Sequence, residues 1–292
     1  MGTPAGEVAR IAIRPKMEAK PLLAGRAKRG EVGLRGVDRD PEGSISSVRD
    51  WIDTSDRVVV LTGAGISTDS GIPDFRGPGG VWTRNPEAEK LSTYDHYVGD
   101  PEVRKRAWQS RLELANRLGE PNAGHRAVVE LERRGKLMLL ITQNIDGLHL
   151  DAGSTPERTV EIHGTFREVA CLECAERGPM PDVLDRIRAG EADPACRSCG
   201  GILKAATISF GQGLVVEDLE RSEVAARQCD LMLAVGTTLT VFPIANVVPL
   251  AKTAGARVVI LNEQPTEMDA LADAVIRGSI SEILPRLVEP LD

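Results

Sequence analysis

Four cysteines stand in two closely spaced pairs, and their spacing suits a metal ion. Cys171 and Cys174 form one C-x-x-C turn, and Cys196 and Cys199 form the other. Each turn can present two thiolates to one ion, so the two turns supply the four ligands of a tetrahedral zinc site. Four protein ligands leave no position for a water, so we expect a structural ion. Two disulfides are the alternative, which a reducing compartment disfavours.

A zinc ribbon can also bind nucleic acid, but the charge of this segment opposes that use. The 21 residues between the two cysteine pairs carry five acidic and three basic side chains, and the whole chain has a net charge of -7. Phosphate backbones are bound by an excess of Lys and Arg. We therefore expect no direct nucleic-acid binding.

A second group of candidate residues follows the first apolar run. Residues 57–62 hold consecutive Val and Leu residues, which favour a buried parallel strand. The strand is followed by Gly63, Ala64, Gly65 and Ser67. Glycines at such a turn let backbone amides approach a pyrophosphate. The pattern G-x-G-x-x-G is not met, because Thr68 replaces the third glycine, so a plain turn between strand and helix explains the glycines about as well.

The next segment is a long loop that carries an acid, an aromatic ring and a base in succession. Asp74, Phe75 and Arg76 stand between Gly71 and the glycines at positions 77, 79 and 80. The glycines and prolines of this segment prevent a continuous helix. Such a loop could close over a ligand.

Three further apolar runs end in polar residues and complete the pattern of an open sheet. Leu137–Thr142 is followed by Gln143, Asn144, Ile145 and Asp146, residues 230–235 by Gly236, Thr237 and Thr238, and residues 257–261 by Asn262 and Glu263. Helical stretches at 123–134 and 243–254 lie between the strands, so the predicted fold class is α/β with a mostly parallel sheet. Such sheets bind ligands at the carboxyl ends of their strands. Ordinary turn capping stays open as the alternative role of Asn144 and Asp146.

The first 43 residues differ from the rest of the chain. They hold nine Lys or Arg and six acidic residues without a sustained apolar period, which predicts a flexible tail with no assigned function. Helical structure is expected to begin at the serines of 44–47, which can cap a helix. No segment has the pattern of a signal peptide, which favours the cytoplasm, and the apolar run 231–251 holds too many Gly, Thr and Pro residues for a membrane span.

Taken together, these motifs resemble the sirtuins, a family of NAD-dependent protein lysine deacylases. The similarity runs from about residue 46 to residue 287. It includes the segments 63–67, 71–76 and 142–146, Glu161-Ile162-His163-Gly164, both cysteine pairs, Gly236-Thr237-Thr238 and Asn262. The resemblance implies one catalytic domain over residues 44–292. Its large lobe would be a Rossmann-like, mostly parallel sheet, and its small lobe a zinc ribbon at 168–204 with a helical insertion at 80–120. NAD and an acylated lysine of a protein substrate would meet between the lobes.

The resemblance also implies roles for individual residues. His163 would be the general base that takes a proton from the ribose hydroxyls after nicotinamide leaves, a task that suits histidine. Asn144 would hold the ribose or an ordered water, and Asp146 would bind the nicotinamide amide. Further cofactor contacts would come from Gly63, Ala64, Gly65, Ser67, Asp74, Phe75, Arg76, Gln143, Ile145, Gly236, Thr237, Thr238, Asn262, Glu263 and Ile280. From spacing alone, His163 could equally be a histidine that supports the zinc ribbon.

The substrate is less well defined by the sequence. The family's peptide-binding edge would map to residues 209–214, where an acyl-lysine peptide could add as a strand. Sirtuins that prefer acidic acyl groups carry Tyr-x-x-Arg in the helical insertion, where this chain has Trp108 and Arg111. We expect Trp108 in the core and Arg111 in solvent, which favours deacetylation, although a contact of Arg111 with a succinyl carboxylate is conceivable. Protein mono-ADP-ribosyl transfer and a non-catalytic, NAD-responsive binding module are the alternative functions.

Four other residues could carry chemistry but have simpler explanations. His96, His125 and His149 are expected to have capping or surface roles. Cys229 precedes an apolar strand and is expected to be a buried small side chain without a nucleophilic role.

Overall fold

The computed structural model describes residues 41–74, 80–85, 90–117 and 119–290. The strands, in chain order, are β1 (Val58–Thr62), β2 (Leu137–Thr142), β3 (Thr159–Glu161), β4 (Gly164–Cys171), β5 (Arg177–Pro179), β6 (Leu203–Thr207), β7 (Leu231–Val235), β8 (Arg257–Leu261) and β9 (Ala274–Ile276). The helices are α1 (Pro41–Thr54), α2 (Val81–Arg84), α3 (Tyr94–Gly99), α4 (Pro101–Ala115), α5 (Ala123–Arg133), α6 (Leu148–Ala152), α7 (Met180–Arg188), α8 (Val216–Gln228), α9 (Val247–Thr253) and α10 (Ile280–Val288).

The larger sheet has six parallel strands in the order β3-β2-β1-β7-β8-β9. Numbered within this sheet alone, the order is 3-2-1-4-5-6, which is the order of doubly wound dinucleotide-binding sheets. The predicted α/β fold class with a mostly parallel sheet is therefore confirmed. The predicted strands at 57–62, 137–142, 230–235 and 257–261 are β1, β2, β7 and β8, with bounds that agree within one residue.

Both faces of this sheet are covered, which explains why its strands are apolar without alternation. Val58 and Val60 of β1 belong to the core under α1, α5 and α10. Val59 and Leu61 point to the opposite core, under α8 and α9. Because successive side chains of a strand point to opposite faces, a strand buried on both sides needs an apolar residue at every position.

A second, smaller sheet builds a separate lobe. It is antiparallel, with the order β5-β4-β6, and it packs with α7 and α4 around a core that includes Trp108, Phe166 and Met180. Trp108 is fully buried, as the sequence predicted. The sheet extends from Gly164 to Thr207, slightly beyond the predicted ribbon bounds of 168–204, and α2, α3 and α4 lie within the predicted helical insertion.

The predicted helix start at 44–47 is wrong. Helix α1 begins at Pro41, so Ser44 and Ser47 lie inside it. The Ser47 hydroxyl donates to the carbonyl of Gly43 at 3.0 Å, one turn back in the helix. A serine hydroxyl satisfied in this way does not need the cap position. Residues 1–40 of the predicted tail lie outside the described residues.

The apolar run 231–251 does not form one long helix. It contains β7, a 3₁₀ turn at Ile244–Asn246 and most of α9. Within the described residues, no helix is long and apolar enough to span a membrane.

Candidate active site

A cleft of about 830 Å³ lies where the carboxyl ends of β1, β2, β7 and β8 face the smaller lobe. Most of the residues predicted to contact a cofactor line it. These are Gly63, Ala64, Gly65, Asp74, Gln143, Asn144, Ile145, His163, Gly236, Thr237, Thr238, Asn262, Glu263 and Ile280. Ser67 and Asp146 are adjacent in the chain to the lining residues Thr68 and Ile145 but do not line the cleft themselves, and Phe75 and Arg76 lie outside the described residues.

The glycine turns after β1 and β7 touch each other through their backbones. The Gly65 amide donates to the Gly236 carbonyl at 2.8 Å. A Cβ atom on Gly65 would lie 2.7 Å from Gly236 Cα, and Gly236 itself has a φ of 62°. Side chains are thus excluded sterically, and Gly236 needs the left-handed conformation that glycine adopts freely. The result is a backbone-lined wall of the kind that lets amides approach a pyrophosphate.

His163 is held in one tautomer. Its Nδ1 lies 3.0 Å from the carbonyl oxygen of Gln143, which can only accept, so Nδ1 carries the hydrogen. Nε2 is then left with a lone pair on a side chain that lines the cleft. Burial lowers the pKa of His163, which favours the neutral imidazole. This arrangement can accept a proton from a bound hydroxyl.

Gln143 links that histidine to the neighbouring strand ends of the larger sheet. Its side-chain amide donates to Thr237 Oγ1 at 2.9 Å, and its backbone amide donates to the Thr62 carbonyl at 3.0 Å. The ends of β1, β2 and β7 are therefore fixed relative to His163 by hydrogen bonds.

Ser67 is the centre of a buried polar network behind Asn144. The Asn122 amide donates to Nδ1 of His125 at 3.2 Å, so Nε2 of His125 carries the hydrogen and donates to Ser67 Oγ at 3.3 Å. Asn144 Nδ2 also donates to Ser67 Oγ, at 3.0 Å, and the hydroxyl itself donates to Asp146 Oδ2 at 2.8 Å. The hydroxyl thus accepts two hydrogen bonds and donates one, its full capacity.

The charges of this network are set by burial. Desolvation lowers the pKa of His125 to about 4, so its imidazole is neutral near pH 7. Burial raises the pKa of Asp146, while hydrogen bonds from the Leu148 amide and Ser67 lower it. The network positions Asn144 from behind and leaves the opposite face of that residue toward the cleft.

The expected capping and surface roles of the other histidines are only partly correct. His96 is exposed, and His125 does form a capping box with Asn122 at the start of α5. However, His125 is fully buried, and His149 is buried with its Nε2 3.0 Å from Thr62 Oγ1. The surface role is wrong for these two because α5 and α6 pack together and bring the two rings to 4.9 Å.

The part of the cleft that is lined by the smaller lobe, called the apolar arm below, is largely apolar. Ala107, Leu114, Phe166 and Ile208 line it, together with Arg111. The guanidinium of Arg111 lies 5.2 Å from the ring centres of both Tyr97 and Trp108. The prediction that Arg111 is solvated is wrong, because packing of α3 against α4 places it between two aromatic rings on the cleft wall.

The predicted peptide edge at 209–214 is partly used within the protein. Phe210 donates to the Ser92 carbonyl at 2.8 Å and accepts from the Tyr94 amide at 2.9 Å. The Gln212 amide and side chain both bond back to Ser209. Phe210, Gly211, Gln212 and Gly213 still line the cleft, so this segment forms part of its rim.

The four paired cysteines converge at one end of the smaller lobe. Their sulfur atoms all lie within 4.8 Å of one another, with Cys171 to Cys199 at 3.5 Å and Cys174 to Cys196 at 3.7 Å. Tetrahedral zinc with Zn–S bonds of about 2.3 Å needs sulfur separations of about 3.8 Å, so the four thiolates fit this ion. Cys229 is apart from them and buried, as predicted, and burial raises its pKa to about 11.

Two of the cleft residues that the sequence did not identify lie far apart in the chain and contact each other. Asp69 and Ser279 both line the cleft, and the Ser279 hydroxyl donates to Asp69 Oδ2 at 3.2 Å. No local pattern signals a contact between residues this far apart in the chain. The capping contact of His125 could be predicted from the sequence, since an Asn followed three residues later by a side-chain acceptor is a capping-box spacing.

The fold and the site define an α/β protein with a doubly wound parallel sheet, a cleft at the carboxyl ends of its strands, and a smaller lobe whose four clustered cysteines fit a zinc ion. The chain belongs to the Sir2 family, whose model matches residues 63–243. The sirtuin resemblance of the sequence is thereby confirmed.

Proteins with similar sequences are named NAD-dependent protein deacetylases or deacylases. The chain is 52% identical to NAD-dependent protein deacetylase 2 of Streptomyces coelicolor, over 80% of this chain and 97% of that protein. It is 41% identical to NAD-dependent protein deacylase 2 of Pyrobaculum aerophilum, over 83% and 94% of the two chains. A solved Sir2 structure with a deacetylated p53 peptide and 3'-O-acetyl ADP-ribose matches at a TM-score of 0.76 and 30% identity, covering 83% of this chain and 96% of that one.

Proposed function

We propose that the chain is an NAD-dependent protein lysine deacylase that acts first of all on acetyl-lysine. The observation that carries this conclusion is the His163 tautomer. A neutral imidazole with a free Nε2 stands on the wall of one cleft that joins a backbone-lined phosphate wall to an apolar arm. The acyl group would leave the lysine and end on ADP-ribose with the consumption of one water, giving free lysine, nicotinamide and O-acyl-ADP-ribose, so the enzyme would be an acyl transferase.

Each part of the cleft would have its own task. NAD, when bound, supplies the ribose carbon that loses nicotinamide and accepts the acyl oxygen. The turns at 63–65 and 236–238 would bind its phosphates, and Asn262, Glu263 and Ile280 would bind the adenosine end. The apolar arm would limit the contact of the acyl-lysine with water.

His163 and Asn144 would hold and move the protons. Nε2 of His163 would take a proton from a ribose hydroxyl, and the Gln143 carbonyl would stabilise the resulting imidazolium through Nδ1–H. Asn144, braced by Ser67, would orient the ribose or a water, and Asp146 would bind the nicotinamide amide. Asp74, Phe75 and Arg76 would belong to the loop that covers the cofactor.

The four-cysteine site would be purely structural, because four thiolates complete a tetrahedral ion. The fit of the four thiolates to a zinc ion supports a reducing, cytoplasmic location, because thiolate ligands must stay reduced. The net charge of -7 supports a function without direct nucleic-acid binding.

A panel of peptides tests the proposal directly. The protein is incubated with NAD and acetyl-, succinyl- or long-chain acyl-lysine peptides, and the products are identified by mass. Loss of the acyl group together with O-acyl-ADP-ribose is the expected result. Labelled protein without acyl loss would instead identify a mono-ADP-ribosyltransferase, and NAD binding without turnover would identify a binding module.

A further inference from the structure

Arg167 is not part of the cleft wall, yet it contacts the loop that carries Asn144, Ile145 and Asp146. The residue belongs to β4 of the smaller lobe, whereas the loop follows β2 of the larger sheet. Its Nη2 donates to the carbonyl oxygen of Gly147 at 2.9 Å. The same nitrogen forms an ion pair with Asp151 in α6. One side chain therefore connects the smaller lobe to the end of this loop and to the helix that follows it.

The residue before Arg167 holds the loop at a second point. The Phe166 amide donates to the Ile145 carbonyl at 2.8 Å, and the Phe166 side chain is buried against the cleft. Two consecutive residues of β4 thus bind the carbonyls on either side of Asp146. Because the backbone is held on both sides of Asp146, its dihedral angles cannot change freely. The direction in which the Asp146 side chain leaves the backbone is therefore fixed.

Gly147 is shaped to receive the guanidinium. Its φ is +74°, in the left-handed region, and a Cβ atom there would collide with the Arg167 guanidinium. Any larger residue at this position would both strain the backbone and push the arginine away. The guanidinium of Arg167 thus occupies the space that a side chain at position 147 would need.

Charge adds to these contacts. Asp146 is a partly buried carboxyl whose two oxygens accept from Leu148 and Ser67. Burial raises the pKa of Asp146, and the nearby Arg167 charge opposes that rise. The guanidinium thus helps to keep the Asp146 carboxylate ionised and oriented.

We propose that Arg167 is a positioning residue that holds the 145–147 loop and so determines how well the site binds nicotinamide. This inference rests on the function proposed above, in which Asp146 binds the nicotinamide amide. Arg167 acts through the loop and does not touch the substrate. Its removal would therefore affect nicotinamide more than the acyl-lysine peptide.

The test compares four variants of the full chain. Arg167→Gln removes the contacts, Arg167→Lys keeps the charge, and Asp146→Asn removes the carboxylate that the proposed function assigns to nicotinamide. Arg177→Gln is the matched control, since Arg177 forms a similar surface ion pair with Glu168 within the same small sheet. Nicotinamide inhibition, the KM for acetyl-lysine peptide, zinc content and the urea midpoint are measured for each.

Arg167→Gln should weaken nicotinamide inhibition by about tenfold. A loss of this order is expected when a binding group, here the Asp146 carboxylate, is displaced by up to about 1 Å. Arg167→Lys should recover part of the loss, and Arg177→Gln should match the wild type. The peptide KM, zinc content and urea midpoint should stay near wild-type values in all arginine variants.

The outcomes separate the two levels of the proposal. If Asp146→Asn weakens nicotinamide inhibition but Arg167→Gln behaves like Arg177→Gln, only the positioning role is overturned. If Asp146→Asn has no effect, the nicotinamide assignment of the proposed function is overturned, and the role of Arg167 with it. A loss in Arg167→Gln that is matched by the peptide KM and the urea midpoint would show a general structural role and would also overturn the inference.

Discussion

The imidazole of His163 donates from Nδ1 to the Gln143 carbonyl at 3.0 Å, and this one bond determines which nitrogen is basic. Gln143 is in turn tied to Thr62 and Thr237, so the bond aligns the histidine with three strand ends. A single hydrogen bond from β2 therefore sets both the tautomer and the position of the proposed base.

Replacing His163 should stop turnover without loosening the fold. We expect His163→Ala to lower kcat by about 10²- to 10⁴-fold, the usual contribution of a general base, with zinc content unchanged. His96→Ala, at an exposed histidine, is the control and should retain activity. Rates are measured with acetyl-lysine peptide and metal content by mass spectrometry. Activity in His163→Ala close to that of the control would remove His163 from the mechanism.

The pH dependence of the rate should reflect the same histidine. Burial lowers the pKa of His163 from its ordinary value of 6.5. The neutral, proton-accepting form therefore still predominates at pH 6.5, and the acid limb of kcat/KM should be centred below that pH. An acid limb centred above pH 6.5 would contradict this environment for the base.

Much of this arrangement could be predicted from the sequence, because it depends on local signals. The uninterrupted apolar runs of β1, β2, β7 and β8 identify strands buried on both faces, and the polar residues that follow them line one cleft. The contacts of Ser67 with His125 and Asp146 could not be predicted, since they join three segments that are far apart in the chain. Strands β3 and β9 have only three residues each, too few for a periodic pattern. The position of Arg111 depends on how α3 packs against α4, which the sequence of α4 alone does not specify.

Removing the Ser67 hydroxyl should destabilise the protein, because this hydroxyl is the centre of the buried polar network. In Ser67→Ala the His125 N–H, the Asn144 amide and one Asp146 oxygen all lose a buried partner. Unsatisfied buried groups cost about 1–3 kcal/mol, so the free energy of unfolding in urea should fall by that amount. Ser47→Ala removes an exposed serine hydroxyl in α1 and should change the free energy of unfolding by less than about 0.5 kcal/mol. Equal effects of the two variants would mean that the network carries no stability.

The cysteine cluster should bind one zinc per chain and hold the smaller lobe together. Cys199→Ser should lose the metal and lower the thermal midpoint, because three thiolates bind zinc less well and the ribbon core depends on the closed site. Strong chelators should unfold the wild-type ribbon for the same reason. Cys229→Ala, outside the cluster, should keep its zinc. A metal-free protein that remains folded and active would disprove a structural role.

Glu161 should make stability fall as the pH rises through the neutral range. Burial raises the pKa of Glu161 to about 7, from an ordinary value of 4.5. Between these two values the folded protein holds a proton that the unfolded chain has released, so stability is lost as pH increases and the loss is complete above about pH 7. Glu161→Gln cannot titrate, and its stability relative to wild type should rise by about 1–3 kcal/mol from pH 5 to pH 8.

Urea unfolding at several pH values measures that difference, and the wild-type comparison cancels the titration of the buried histidines. Glu168→Gln on β4 serves as the control, because Glu168 forms a surface ion pair with Arg177. Its difference from wild type should not show the same rise between the two pH values. A flat difference for Glu161→Gln would show that the carboxyl is ionised in the folded protein.

Arg111 should determine how well the enzyme accepts acyl groups that end in a carboxylate. Its guanidinium lies on the wall of the apolar arm, held by Tyr97 and Trp108, where a succinyl carboxylate could form a charge-assisted hydrogen bond. Such bonds contribute about 1.5–3 kcal/mol, which corresponds to roughly tenfold or more in kcat/KM. Arg111→Met should therefore lower the succinyl-to-acetyl ratio of kcat/KM by at least about tenfold. Arg106→Met, at an exposed arginine of the same helix, is the control and should leave the succinyl-to-acetyl ratio unchanged. If Arg111→Met also leaves the ratio at the wild-type value, Arg111 does not contact the acyl group.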